Sequence, residues 1–364
     1  MNLSSSSLRS LARLSLPLAT AFGLLAGSAA LAGPALASAA GPAAFTWHTF
    51  KLINGWQSAS SPQLVTGTPG WALHDGVIYL KGAVKNPAQT GEEGIAMLPA
   101  YARPARNLYI ADYDQAATAG ALEISTSGSI DVFGSNSENF ASLGNISYPL
   151  GSITPHKLTL KNGWASENAD YSSGNPAYSI SGGIVYLSGS MAHGKPGWAA
   201  AVLPKAARPA HVMYVLVYTF GGDSGLITIY PNGKIIASGA DATSYTSLAN
   251  ISYPVASTKW HAFTLIDNWK SADPTYHTGA PSYVVINGVV YVGGAMTGTK
   301  APNGFWTPIP TAVQPPAQVF AEVDMGGAPG EVDFAESDGL ASSASFSNAK
   351  KFTSLASIAY PLSA

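Results

Sequence analysis

One short pattern occurs three times in this chain and decides its fold. It reads Asp75-Gly76-Val77-Ile78-Tyr79-Leu80, then Gly182-Gly183-Ile184-Val185-Tyr186-Leu187, then Asn287-Gly288-Val289-Val290-Tyr291-Val292. Each copy opens on a dipeptide that suits a type I′ hairpin turn, because both central residues of that turn need a positive φ. The valine, isoleucine and tyrosine that follow favour a pleated, half-buried strand. Each copy therefore predicts the second strand of a tight β-hairpin.

Other landmarks repeat around this pattern with a similar period. A strand ending in a tryptophan precedes it, and a proline step and a closing Ile-x-Tyr-Pro sequence follow it. These landmarks are Trp56, Trp164 and Trp269, then Pro99, Pro204 and Pro310, then Tyr148, Tyr253 and Tyr360. Many short strands with regular turns are typical of sandwiches and jelly rolls, and one repeat has the length of one sandwich domain. The sequence predicts an all-β fold of three tandem β-sandwich, jelly-roll-like modules, at residues 46–150, 156–255 and 259–362.

Residues 1–37 are predicted to be a signal peptide. Arg9 and Arg13 form a positive segment, residues 16–31 are mostly apolar, and Ala35-Leu36-Ala37 offers the small residues that a signal peptidase recognises. The other interpretation, a membrane anchor, is disfavoured because proline and glycine interrupt the apolar run. No apolar run after residue 40 is long enough to span a membrane. We therefore expect a secreted protein, free or associated with the cell surface, that does not span the membrane after cleavage.

The composition excludes several classes of function. The 364 residues include no cysteine, so disulfides, thiolate metal sites and cysteine nucleophiles are excluded. Charged residues make up only 10% of the chain, and 18 basic and 20 acidic residues give a net charge of −2. Because no basic stripe is present to replace phosphate counterions, nucleic acid is not an expected partner.

The order of landmarks resembles that of modules found at the receptor-binding tips of tailed-phage tail fibres and related baseplate proteins. The best-matching stretches are Gly183–Gly189, Leu203–Pro209, Gly233 and Leu248–Ile251, and the likeness touches all three repeats. It implies a compact β-sandwich that recognises a surface ligand, often a glycan, and that often forms a trimer. This chain departs from the family in its predicted export signal and in its tandem modules. Three modules in one chain can supply the valency that a trimer supplies with three chains.

No catalytic, cofactor or metal site is predicted. Glycoside hydrolysis needs two carboxyl groups at a defined separation, whereas the acidic residues do not recur at equivalent positions of the repeats. Asp112 and Asp114 alternate along a predicted strand, as do Glu331 and Asp333. Such a pair can share a calcium ion, but no glycine-bearing calcium loop follows either one. We expect these residues to be solvated acids on an exposed strand face.

Three histidines stand near the starts of the modules. They are His48, His156 and His261, beside Trp47, Pro155 and Trp260. The seven histidines of the chain form no metal-binding spacing. We predict that these three pack at the joints between modules.

The aromatic residues and two arginines are the candidates for ligand binding. The recurring Trp56, Trp164 and Trp269 are predicted core residues. Four further rings lie in or beside Gly/Pro-rich segments, where they can stack on a sugar or close the end of a sandwich; they are Trp71, Trp198, Phe305 and Trp306. Arg103 and Arg208 follow the proline step, where a guanidinium can bind an acidic sugar or bond loop carbonyls.

These observations favour a binding protein over an enzyme. The leading hypothesis is a secreted or cell-surface protein that recognises a glycan or a cell-envelope polymer, with three modules whose weak sites sum to useful avidity. The alternative is a structural or assembly protein of the envelope without a small ligand. A polysaccharide-degrading hydrolase is the third interpretation.

Overall fold

A computed structural model of the chain describes residues 45–91, 93–115, 119–239, 241–298, 304–335, 339–343 and 348–363. The predicted signal peptide, residues 1–37, lies outside the described residues. In the described part, strand greatly outweighs helix and the sheets are antiparallel, so the prediction of an all-β, sandwich-type fold is confirmed. The described strands form three sets of eleven in the same order, which we call modules one, two and three.

The elements follow in chain order. Module one contains β1 (Trp47–Thr49), β2 (Gln57–Ser58), β3 (Gly70–His74), β4 (Val77–Lys81), β5 (Ala83–Lys85), β6 (Gly94–Met97), β7 (Leu108–Tyr113), β8 (Ala119–Ile124), β9 (Ser129–Phe133), β10 (Ala141–Ser142) and β11 (Ser147–Pro149). Module two contains β12 (His156–Lys157), β13 (Ala165–Ser166), β14 (Ala177–Ser181), β15 (Ile184–Ser188), β16 (Ser190–Ala192), β17 (Ala199–Val202), β18 (Met213–Tyr218), β19 (Ser224–Ile229), β20 (Lys234–Ser238), β21 (Thr246–Ser247) and β22 (Ser252–Pro254). Module three contains β23 (His261–Ala262), β24 (Trp269–Ser271), β25 (Ser282–Ile286), β26 (Val289–Gly293), β27 (Ala295–Gly298), β28 (Phe305–Pro308), β29 (Val319–Asp324), β30 (Pro329–Phe334), β31 (Leu340–Ser343), β32 (Thr353–Ser354) and β33 (Ile358–Pro361).

Helix is confined to single turns in the described residues. The α-helices are α1 (Asn168–Tyr171) and α2 (Asp273–Tyr276), and the 3₁₀ turns are Ala100–Ala102, Lys205–Ala207, Phe220–Gly222 and Thr311–Val313.

Every module pairs its strands into the same three sheets. Sheet A has the order β1-β3-β4-β11, β12-β14-β15-β22 and β23-β25-β26-β33 in modules one to three. Sheet B joins β2-β5-β10, β13-β16-β21 and β24-β27-β32. Sheet C has the order β6-β9-β8-β7, β17-β20-β19-β18 and β28-β31-β30-β29.

The repeated tyrosine pattern forms the hairpin at the centre of sheet A. In module one, β3 and β4 pair antiparallel with Ala72 opposite Tyr79. Asp75 and Gly76 turn the chain with φ values of 50° and 78°. The corresponding residues of modules two and three also have positive φ. The predicted type of turn, with both central residues at positive φ, is confirmed.

The core of each module lies between sheets A and C. In module one, Ile78 and Leu80 of sheet A pack with Ile110 and Ile130 of sheet C. The recurring tryptophans are all buried in these cores, which confirms their predicted role; they are Trp56, Trp164 and Trp269.

Sheet A is also buried on its second face, which meets the sheets A of the other two modules. Tyr79, Tyr186 and Tyr291 come together there, and their hydroxyl groups hydrogen-bond to one another. A strand buried on both faces needs apolar residues at every position, which explains the continuous run Val77–Leu80. The expectation of a half-buried strand is therefore corrected. The three modules surround a common centre and do not extend in a row.

Aromatic residues fill the three joints between modules. The clusters are Tyr109 with Tyr171 and Tyr245 between modules one and two, Tyr214 with Tyr276 and Phe352 between modules two and three, and Phe320 with Tyr113 and Phe140 between modules three and one. Since each module contacts both of the others, the three form a closed ring.

Hydrogen bonds between modules run around the same ring. The acceptors Asn145 Oδ1, Asn250 Oδ1 and Ser357 Oγ receive the backbone N–H groups of Ala359, Ser147 and Ser252, at 2.7, 3.0 and 3.0 Å. All three acceptor residues have a left-handed backbone, with φ of 64° or 65°. The same local conformation thus bonds each module to the next.

Candidate functional site

Two of the four predicted ligand-binding rings lie inside the protein. Trp71 is only 4% exposed and Trp306 is fully buried. Trp71 points into the core of module one from β3, and Trp306 lies at a β-bulge in β28, where the register against β31 shifts. A bulge re-aims its side chains, and here the indole turns into the core of module three. Both rings are therefore corrected from loop contacts to core residues.

The other two rings are at the surface, on different modules. Trp198, the residue before β17, is 53% exposed, and Lys195 Nζ lies 4.3 Å from its ring centroid. Phe305, the first residue of β28, is 37% exposed. Because β17 and β28 are corresponding strands of two modules, the fold separates the candidates and gives them no common site.

The two arginines each form a hydrogen bond across the 3₁₀ turn that follows the proline step. Arg103 Nε donates to the carbonyl of Leu98 and Arg208 Nε to that of Leu203, both at 3.1 Å. In module three, Gln314 Nε2 makes the corresponding bond at 3.2 Å. Both side chains thus bond loop carbonyls through Nε, which is one of the two roles predicted for them. Contact with an acidic sugar stays a prediction.

The three histidines at the module starts also differ from expectation. They are exposed on edge strands, and each stacks on a ring of its own module; the pairs are His48 with Trp71, His156 with Tyr178 and His261 with Tyr283. Packing at the inter-module joints is thus corrected to packing on the outer edge of sheet A.

The paired acids are not on an exposed face. Asp112 and Asp114 are buried, and Asp112 Oδ2 and both Asp114 oxygens have no hydrogen-bond partner among the described residues. Burial raises the pKa of Asp114 to about 8. Burial also raises the pKa of Asp112, with smaller contributions from Asp114 and Glu322. Asp333 is likewise buried and accepts a bond from Gln318. Within the described ranges, no three such side chains are placed to hold a metal ion.

A groove of about 250 Å³ lies between modules two and three. Its lining includes His211 and Met213 of module two and Trp260, Thr278 and Ser282 of module three. Trp260 is partly exposed and His211 is exposed. The floor includes the backbone of Gly293 and Gly294. An apolar cleft with a few polar groups at the junction of two bodies is the usual setting of a small-ligand site.

The surroundings of its tryptophan distinguish this groove from its counterpart between modules three and one. That counterpart is lined by Trp47, which corresponds to Trp260, and has a volume of about 30 Å³. Lys81 Nζ lies 4.4 Å from the Trp47 ring centroid, and Trp47 Nε1 donates to the Ser363 carbonyl at 3.0 Å. The side chain of one lysine and the C-terminal segment therefore fill the space around Trp47.

The joint between modules one and two is built differently. Pro155 stands where the other modules have Trp47 and Trp260. The stem of Arg106 lies against Gly174, whereas the ring of His211 lies against the corresponding Gly279 in the open groove. Sequence reasoning noted Trp47 and Trp260 only as neighbours of histidines. The one signal that a groove would form beside Trp260 was Gly293, at the position that Lys81 has in module one.

The open groove can bind an uncharged ring. Its lining residues, all of them described, include no Asp, Glu, Lys or Arg. Trp260 offers an aromatic surface, while Ser282, Thr278 and His211 offer hydroxyl and imidazole groups for hydrogen bonds. Two carboxyl groups, which glycoside hydrolysis requires, are not among these lining residues.

No protein-family model and no curated protein sequence matches the chain. Among the described residues, no helix has the length and apolar character needed to cross a membrane.

Proposed function

We propose that the chain is a secreted or cell-surface protein that binds a glycan or a cell-envelope polymer, with the groove between modules two and three as its site. The observation that carries the proposal is Trp260, a partly exposed indole in a groove of about 250 Å³ that also holds hydroxyl and imidazole groups. Sugar rings combine apolar C–H faces with hydroxyl edges, so they match a site that pairs an aromatic surface with hydrogen-bonding groups.

The test is a glycan-array and cell-wall pulldown screen with residues 38–364. The parent is compared with Trp260→Ala and with Trp47→Ala, which removes the corresponding tryptophan from the filled groove, after circular dichroism shows that both variants fold. We expect the parent to bind a defined polymer, Trp260→Ala to bind it at least about tenfold more weakly, roughly 1.4 kcal/mol, and Trp47→Ala to bind it like the parent. A folded parent that binds nothing in the screen would remove the proposal.

The alternative is a structural or assembly protein of the envelope, and one observation favours it. Leu73, Ile180 and Val285 occupy the same position in β3, β14 and β25, and each is about 40% exposed, at 40, 39 and 41%. Three exposed aliphatic side chains at equivalent positions can meet a partner surface. Two results together would favour this function. The parent would self-associate with rising concentration, a Leu73→Ser, Ile180→Ser, Val285→Ser variant would not, and the glycan screen would find no ligand.

A further inference from the structure

We infer that only one of the three equivalent joints between modules has a groove that binds a ligand, and that this groove takes a single uncharged pyranose ring. This inference rests on the proposed function and specifies its site, its ligand class and its stoichiometry. Gly293 leaves the groove open in module three, whereas Lys81 together with the C-terminal segment closes its counterpart in module one.

Gly293, Lys81 and Ser188 are the same position of the three modules. Each is the last residue of its hairpin strand, opposite the first residue of the partner strand; the pairs are Gly293 with Ser282, Lys81 with Gly70 and Ser188 with Ala177. Their difference is therefore one of side chain at a fixed backbone position.

The backbone does not require a glycine at position 293. Gly293 is not among the residues with positive φ, so other residues can adopt its conformation. A side chain at position 293 is instead restricted by space, because a Cβ atom there would lie 3.2 Å from Cη2 of Trp260. Glycine thus lets the indole lie directly against the strand and leaves the space beyond it open.

In module one the same position supplies a cation to the tryptophan. The ammonium of Lys81, 4.4 Å from the ring centroid of Trp47, occupies a face of the indole by a cation–π contact. A sugar ring would need that face. The groove shrinks from about 250 Å³ at Trp260 to about 30 Å³ at Trp47. Module two lacks the tryptophan altogether, because Pro155 replaces it.

The lining of the open groove sets the class of ligand. An acidic sugar is bound best by arginine or lysine, and neither lines this groove. The volume lies just below the ~300–1,000 Å³ range of ligand pockets, which suits one ring of a chain more than several. A neutral hexose with equatorial hydroxyl groups, one face on Trp260, meets these conditions.

The experiment uses residues 38–364 and two trisaccharide probes, neutral cellotriose and anionic trigalacturonate. The variants are Gly293→Lys, which copies the module-one residue into the open groove, Ser188→Lys as a matched control in module two, and Lys81→Gly, which uncovers Trp47. Titration calorimetry measures affinity and stoichiometry. Fluorine NMR of protein labelled with 5-fluorotryptophan, with the signals of Trp47 and Trp260 assigned by Phe variants, reports which ring meets the sugar.

We expect the parent to bind one cellotriose and to shift only the Trp260 signal among these two. Gly293→Lys should weaken binding at least about tenfold, Ser188→Lys should leave it unchanged, and Lys81→Gly should raise the stoichiometry towards two and make the Trp47 signal respond. The gain in Lys81→Gly keeps the test decisive if Gly293→Lys fails to fold.

The two proposals fail in different ways. If the parent binds a glycan but Gly293→Lys binds it equally well, or if only trigalacturonate binds, the inference is wrong while glycan binding stands. If the parent binds neither trisaccharide and no polymer in the screen, glycan binding itself is wrong, and the inference falls with it.

Discussion

Asp114 shows how one residue can differ from its counterparts in a repeated fold. Its carboxyl group lies directly over Gly120 and Gly134, which leave it the space. Thr219 occupies this place in module two, over Gly225, and the side chain of Met325 covers Gly330 in module three. A buried carboxyl group without a partner is costly when charged, which is why its pKa rises to about 8.

The Asp114 pKa predicts how stability depends on pH. In the unfolded chain an aspartate titrates near ~3.9, so between about pH 4 and 8 the folded protein holds one proton more. The contribution of the protonated Asp114 to the free energy of unfolding is complete below the pKa of the unfolded chain. It is lost as the pH rises through the pKa of the folded protein, by up to about 1.4 kcal/mol per pH unit. We expect urea unfolding to show this fall and Asp114→Asn to reduce its slope.

Asp75→Asn is the control for this prediction, because Asp75 is 59% exposed. It should leave the slope as it is in the parent. Asp112 and Glu322 also have raised pKa values because of burial, so part of the slope will remain in Asp114→Asn. A slope equal in parent and Asp114→Asn would show that Asp114 titrates normally.

Ser357 gives a second prediction at the scale of one residue. It has φ of 65°, a region that asparagine tolerates better than serine, and Asn145 and Asn250 hold the corresponding positions. Ser357→Asn should therefore raise the free energy of unfolding by roughly 0.5–1 kcal/mol, provided that the new amide accepts the N–H of Ser252. Asn145→Ser, the reverse change in module one, should lower it. Chemical denaturation measures both, and a stabilised Asn145→Ser would contradict the argument.

At the scale of elements, one side-chain hydrogen bond spans each 3₁₀ turn after the proline step. Arg103→Ala removes the bond to the Leu98 carbonyl and should cost about 1 kcal/mol of unfolding free energy. Arg103→Gln should cost less, because Gln314 makes this bond in module three. Thermal unfolding of the two variants checks the order. Equal destabilisation by both would mean that the arginine stem, and not the hydrogen bond, matters.

The elements also show what the sequence could predict. The hairpins followed from Asp75-Gly76 and its counterparts, since turn chemistry is local. The burial of β4 on both faces was not predicted, although Val77–Leu80 lacks the alternation that is typical of a strand with one solvent-exposed face. Trp306 was misplaced because a bulge changes the direction of a side chain without a mark in the sequence. The groove beside Trp260 depends on contact between modules, which no single repeat encodes.

At the scale of the whole molecule, the shared centre predicts cooperative unfolding. Tyr79, Tyr186 and Tyr291 are buried by all three modules together, so no module keeps this surface covered alone. We expect one calorimetric transition for the parent. Tyr79→Ala should lower the stability of all three modules, by about 3–5 kcal/mol, and Tyr79→Phe by about 1 kcal/mol. Three separate transitions, with only one shifted by Tyr79→Ala, would show that the modules are independent.

The closed ring of modules has a genetic consequence. In a trimer of identical chains, every mutation appears three times around the axis. A side chain that the fold tolerates at one site but not at all three therefore cannot be kept. Here each copy has its own codons. Module one has a buried acid, Asp114, where module two has Thr219. Module three has Gly293 beside an uncovered indole, where module one has Lys81 over the indole. With three modules on one chain, each position is therefore free to specialise while the other two copies continue to hold the fold.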